Sequence, residues 1–172
     1  MQVPQPGEYN PRFDKYISLA MKPGIHFSEI IKQNTLDVAG FFSSVPSDKY
    51  DFRYAENKWS IKEVLMHIND TERVFAYRAL VCARGDADTP LHYMDENLYA
   101  ANVSVDKRSM ESLFQEFVAI RASNSFLFDN ITEEQSKLLG NNIEYKLSAR
   151  AIAYAMVGHT IHHINVLEER YL

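Results

Sequence analysis

The sequence predicts an all-α chain folded as an antiparallel four-helix bundle preceded by a short leading helix. Four long stretches carry apolar residues at helical spacing, and start and stop signals bracket them. At 172 residues the chain has the size of one domain, residues 1–172, enough to bury a substantial core. With neither an internal repeat nor a low-complexity tract, a solenoid is excluded. An antiparallel bundle is the economical arrangement in which each apolar stripe finds a partner.

In chain order, Asn10 followed by Pro11 reads as an N-cap with proline at the first helical position, and predicts a leading helix to about Met21 that Pro23-Gly24 breaks. Phe27, Ile30, Ile31, Val38, Phe41 and Phe42 mark a first long helix ending near Ser43-Ser44, before Pro46. Ser60 with Glu63 three residues on is a capping-box signature. It opens a second long helix, with Ile61, Val64, Leu65, Ile68, Phe75 and Ala79 facing inward, that runs to about Arg84 and stops at Gly85. Asp86 to Asp106 shows no sustained period and reads as a long ordered or functional loop. Leu113, Phe114, Phe117, Val118, Ile120, Leu127 and Phe128 mark a third helix, roughly Lys107 to Asn130. Thr132 with Gln135 caps a short turn, Gly140-Asn141-Asn142 reads as a further turn, and Ile143 to Leu147 as briefly extended. Ser148 caps a fourth helix, with Ile152, Met156, Val166 and Leu167 on one face, that runs almost to the terminus.

The formal net charge of -5 argues against nucleic acid as a partner, since surfaces that follow phosphates need clustered Lys and Arg. Without an apolar signal region at the start or a run of ~20 apolar residues anywhere, no membrane association and a cytoplasmic location are expected. The lone Cys82 falls on the apolar side of the second helix and reads as a buried, inert thiol. Arg84-Gly85-Asp86 and the sequons at Asn102 and Asn130 are short enough to arise by chance. Trp59 and Tyr54 are expected to staple the preceding loop onto the bundle.

The histidines carry the chemistry. At ~100 degrees per residue, His159 and His163 lie within about 40 degrees of each other, on the arc that holds Ile152, Met156, Val166 and Leu167. Two imidazoles one turn apart on an apolar stripe need partners, because a buried polar ring left alone costs about 1–3 kcal/mol. A histidine pair spaced i, i+4 can converge on one cation. The competing reading is a pair bonded to each other or to a carboxylate. Thr160 stands where a zinc protease would carry its glutamate base, so protease chemistry is rejected. His162 lies at the edge of the stripe, as an outer or surface residue. A third ligand must come from His26, His67, His92, Cys82 or the second helix's carboxylates, and His67, within that helix's inward arc, is the best placed. Taken alone, such a position more often holds a satisfied core or boundary residue. His92 sits in the long loop, where solvent exposure is the commoner outcome. Glu72 points inward, either to orient a ligand or to pair with a buried arginine such as Arg78.

The stretches KWSIKEVLMHINDTERVFAYRALVCARGD (58–86) and SARAIAYAMVGHTIHHINVLEERYL (148–172) resemble the two signature regions of the DinB-like superfamily, the DinB/YfiT-like metalloenzymes. The resemblance implies a bundle in up-down-down-up order with one long crossover, a homodimer, and a three-histidine site for a divalent metal ion such as nickel or zinc. Carried over by position, the metal ligands are His67, His159 and His163. The family includes bacillithiol S-transferases and mycothiol-dependent isomerases, which implies a small-molecule thiol and an electrophilic substrate as partners. Three histidines leave coordination positions open, as in catalytic sites. The functional expectation is therefore metal-dependent thiol S-transfer, with the long loop, including His92 and Tyr93, shaping the second-substrate pocket. The alternatives are a metal-dependent hydrolase and a non-catalytic metal-binding stress-response protein.

Overall fold

A computed structural model describes residues 1–143 and 145–172. Its framework is four long helices, α2 (Phe27–Ser44), α3 (Ile61–Ala83), α5 (Met110–Asp129) and α7 (Ala149–Arg170). Short elements complete it: α1 (Asp14–Ala20), α4 (Glu96–Ala101), α6 (Glu133–Ser136), and a hairpin of β1 (Leu139–Asn141) with β2 (Lys146–Ser148).

Most boundaries follow from capping. Asn10 accepts from the Arg12 N–H, and Pro11 opens the chain's first helical turn, which is 3-10 before α1 begins. Gly24, at φ +77, makes the break before α2. Ser60 and Glu63 form the complete box, the Ser60 hydroxyl accepting from Glu63 N–H at 3.2 Å and Glu63 accepting from Ser60 N–H at 2.6 Å. Gly85, also at φ +77, ends α3, and Ser148 caps α7 by accepting from Ala151 N–H. The third long helix starts later than Lys107: residues Val105–Lys107 form a separate 3-10 turn, and the Ser109 hydroxyl caps at Ser112 N–H.

Two expectations need correction. The stretch after α3 is not wholly irregular, since Asp95 accepts from Asn97 and Leu98 N–H and starts α4. Gly140 and Asn141 do not turn; they lie in β1, in antiparallel register with Leu147 and Lys146. Gly140 is needed there for space, because a Cβ on it would sit 2.4 Å from the Cys82 sulfur. Of the run expected to be extended, Lys146 and Leu147 are in β2 and Ile143 has φ 62, while Glu144 lies outside the described residues.

The order of packing is up-down-down-up. α3 and α5 run parallel: Arg108 reaches Met66, Asn69 donates to Leu113 O, Arg73 pairs with Glu116, and Glu72 pairs with Arg121. α3 and α7 run antiparallel, with Trp59 bonded to Tyr171 at one end and Cys82 to Leu147 at the other. Phe27 at the head of α2 meets both Phe128, late in α5, and Tyr154, early in α7. α2 is thus antiparallel to α5 and parallel to α7. Parallel neighbours need a long return, and residues 84–109 supply it. This crossover is pinned midway by Leu91 N–H donating to Asn141 O at 2.8 Å, and by the Arg78 guanidinium donating to His92 O.

The apolar core falls into two clusters. One surrounds Ile17, Phe27, Phe128 and Tyr154, and the other surrounds Ile61, Leu65, Leu113 and Phe117. Between them lies a polar layer built from Glu72, Arg121, Asn124, His159 and Thr160, all buried. No helix among the described residues is long and apolar enough to cross a membrane.

Candidate metal centre

His67 stands two turns into α3, while His159 and His163 stand on successive turns of α7, the helix packed antiparallel against it. That packing brings the three rings together across a sequence separation of 92 residues. His67 Nε2 lies 3.0 Å from His159 Nε2, and His163 Nε2 lies 3.0 Å from the same atom. The three ligand atoms fall within 4.8 Å of one another.

Three imidazole nitrogens facing one point satisfy each other poorly. A neutral ring offers at Nε2 either one N–H or one lone pair, so His159 Nε2 cannot make a good bond to both neighbours at once. A divalent ion resolves the conflict by accepting all three lone pairs. At metal–nitrogen distances of ~2.0–2.1 Å, two ligand nitrogens stand ~3 Å apart, which the two spacings through His159 match. His67, His159 and His163 could therefore hold a metal ion, and their electrostatics suit the neutral form that ligation requires. Burial pulls His67 down to about 4, the nearby Glu96 carboxylate opposing the shift only in part. Burial pushes His159 and His163 well below the ordinary histidine value, and the other histidines add repulsion.

The cluster opens into a cavity of about 440 Å³. Trp59 forms one wall, its ring 4.7 Å from that of His67, and Phe75 another, 6.1 Å from His159. Tyr16 of α1 covers the His159 side at 5.5 Å. α1 comes this close because residue 158 is glycine: a Cβ there would sit 1.7 Å from the Tyr16 carbonyl oxygen. Tyr93, Met94 and Glu96 close the cavity from the crossover.

The other candidates separate cleanly. His162 packs beside Tyr16 at 5.6 Å, outside the convergent set. His26 caps α2 and bonds the N-terminal amine at 2.8 Å. His92 is exposed and contributes its backbone carbonyl to Arg78, while its neighbour Tyr93 is the residue that lines the cavity. Cys82 is buried at the far end of α3, where loss of water pushes its thiol up to about 11. Glu72 takes an arginine partner, Arg121 rather than Arg78: the carboxylate sits 2.7 Å from Arg121 Nη2 and accepts from Asn124 at 2.9 Å. Thr160 completes this layer by accepting from Arg121 at 3.0 Å. Glu72 therefore neutralises a buried cation and holds no ligand histidine.

Most of the walls carry no local signal in the sequence. Trp59 is also the loop staple its position predicts, through Tyr171 OH donating to Trp59 O at 2.8 Å. Tyr16 and Lys15 on the leading helix left no signal, because nothing local says where α1 docks. Arg78 did leave one. Eleven residues after His67, it returns to within ~20 degrees of the same helix direction, with Thr71 between them.

The family model of the DinB superfamily matches residues 31–167, from within α2 to within α7. The chain belongs to the DinB superfamily. This DinB-superfamily chain also shares its fold with YfiT from Bacillus subtilis, a protein described as "a probable metal-dependent hydrolase with an unusual four-helix bundle topology". The TM-score is 0.70 at 15% sequence identity, covering 96% of this chain and 89% of YfiT, a likeness of fold. No curated protein matches the sequence.

Proposed function

We propose that this DinB-superfamily chain is a metal-dependent enzyme in which His67, His159 and His163 hold a divalent ion, nickel or zinc, and which transfers a low-molecular-weight thiol to an electrophile. The observation that carries the reading is the convergence of three depressed-pKa imidazoles at the inner end of an open cavity. A closed structural site would complete its coordination with protein atoms, whereas here the ligand set faces space large enough for a small molecule. A bound divalent ion would act there as a Lewis acid that favours the deprotonated form of a thiol. Trp59, Phe75 and Tyr16 keep bulk water from the histidines, and the crossover residues Tyr93 and Met94 form the face where a second substrate is admitted.

The hydrolytic alternative has its own observation. Glu96 lies on the same cavity wall, near enough to His67 to act on its titration, and could take a proton from water. Purified protein never exposed to chelator should contain close to one equivalent of metal by elemental analysis. Conjugation assays with several cellular thiols, run beside ester and amide hydrolysis, then decide between transfer and hydrolysis. Absence of stoichiometric metal sinks both, and metal without turnover leaves a binding role.

Assembly as a cytoplasmic homodimer completes the proposal. Leu36 of α2 and Val118 and Phe126 of α5 leave apolar surface exposed for a second copy.

A further inference from the structure

The cavity contains a cation that the metal reading does not use. Arg78 is 7% exposed, yet no carboxylate among the described residues pairs with it. Its one hydrogen bond among the described residues goes from Nη2 to the His92 carbonyl oxygen at 2.5 Å. A guanidinium has five N–H donors in a planar fork, so most of this one is left to the cavity that Arg78 lines. Other buried arginines in the chain are matched: Arg121 by Glu72, and Arg150 by Glu8 and Glu133. One turn of α3 beyond His67, the Thr71 hydroxyl is buried, lines the same cavity and has no hydrogen-bond partner among the described residues. Phe75 lies between the two ends of the cavity, its ring 6.0 Å from the Arg78 guanidinium carbon and 6.1 Å from the His159 ring.

We infer that Arg78 is the recognition point for a carboxylate on the substrate, held at the end of the cavity away from the histidines. This rests on the proposed function for what happens at the other end and names the class of molecule admitted. The substrate is a small carboxylate with a reactive head at the histidine cluster, an apolar middle against Phe75 and Trp59, and its carboxylate on Arg78. A polar group along its length would meet Thr71. Arg12 and Lys15 line the same cavity beside Arg78, against the one carboxylate of Glu96, so the charge of its lining favours an anion. The planar fork matches the two oxygens of a carboxylate.

Trp59 supplies the probe, being the only tryptophan in the chain and a wall of the cavity. Its fluorescence is titrated with 6-mercaptohexanoate and with uncharged 6-mercaptohexanol, in the wild type, Arg78→Gln and Arg78→Lys. The wild type should bind the acid at least about tenfold more tightly than the alcohol. Arg78→Gln should lose that preference while keeping its affinity for the alcohol and its metal content, and Arg78→Lys should keep part of the preference. Equal binding of acid and alcohol by the wild type overturns the inference. So does a preference that survives in Arg78→Gln, or a loss of affinity for acid and alcohol alike, which marks Arg78 as only an anchor for the His92 loop. The same titration with hexanoate and hexanol on metal-free protein separates this inference from the metal reading. A preference for hexanoate there upholds Arg78 even if no metal is found, and its absence counts against Arg78 alone.

Discussion

At the scale of single residues, the centre depends on taking imidazoles out of water. An imidazole so placed resists protonation, and a neutral imidazole is the form that binds a metal. His159 is buried on the α7 side and is the ring that both neighbours face. His159→Ala should therefore lower metal content at least tenfold by elemental analysis, since loss of even an outer partner of a ligand costs about 10–100-fold. His162→Ala, outside the cluster, should leave it unchanged. The depressed pKa values also set a pH dependence for the metal-free protein. Below about 6.5 the unfolded chain takes up protons at these positions, while the folded chain does not until His67 titrates near 4. The unfolded state thus binds more protons in that window, and stability must fall as pH drops. The slope should approach about 1.4 kcal/mol per pH unit for each participating histidine. Urea unfolding of chelated protein at pH 7 and pH 5 measures it, and a flat profile refutes the burial of these rings.

At the scale of elements, helix ends are local events, and this is why they were legible. The Ser60–Glu63 box and the Ser148 cap need only residues within three positions of each other. Ser60→Ala should cost about 1 kcal/mol in urea unfolding and leave the metal site intact. The docking of α1 is a different matter. Gly158 admits the Tyr16 backbone where any side chain would collide, and from Ala149 to Thr160 α7 is buried on all sides. Its sequence there interleaves alanines with larger residues on every side, so the wheel shows no clear outer face and gives no warning of a second layer. Gly158→Ala should displace α1 and destabilise the protein by about 3 kcal/mol. Because Tyr16 covers His159, it should also raise solvent access to the cluster, seen as faster metal release to a chelator. Unchanged stability and release would mean that α1 does not pack here. The crossover helix α4 went unread for its own reason: six residues are too few to display a period.

At the scale of the whole molecule, a polar layer crosses the bundle between two apolar clusters and ties α3, α5 and α7 together. Its centre is the Glu72–Arg121 pair, 2.7 Å apart and almost wholly excluded from solvent. Removing one charge strands the other, so Glu72→Leu should cost about 3–5 kcal/mol. Replacing both, as Glu72→Leu with Arg121→Met, should recover much of that stability, because well-packed apolar side chains often match a buried ion pair. A double-mutant cycle in urea with no coupling would exclude the pair as a link between helices. The same layer adjoins the candidate metal centre through Thr160, next to His159. Binding of nickel or zinc should raise the melting temperature with the logarithm of free metal concentration, since the three histidines converge only in the folded chain. A melting temperature independent of metal argues against the site.

By itself the sequence determined the four long helices, their caps and the shared face of His159 and His163, because 3.6-residue periodicity and capping act over a few neighbouring positions. The family signature extended this to His67 and to the up-down-down-up order, which no linker composition specifies. What only the tertiary structure decided is which faces meet. Across a separation of 92 residues it set His67 beside His159. It also matched Glu72 to Arg121 instead of Arg78, and laid α1 over Gly158. Arg78 was thereby left, among the described residues, without a carboxylate partner at the far end of the cavity. The physical reason is that a buried charge or ring is satisfied by whatever the packing of distant helices brings within reach, and that depends on the assembled core.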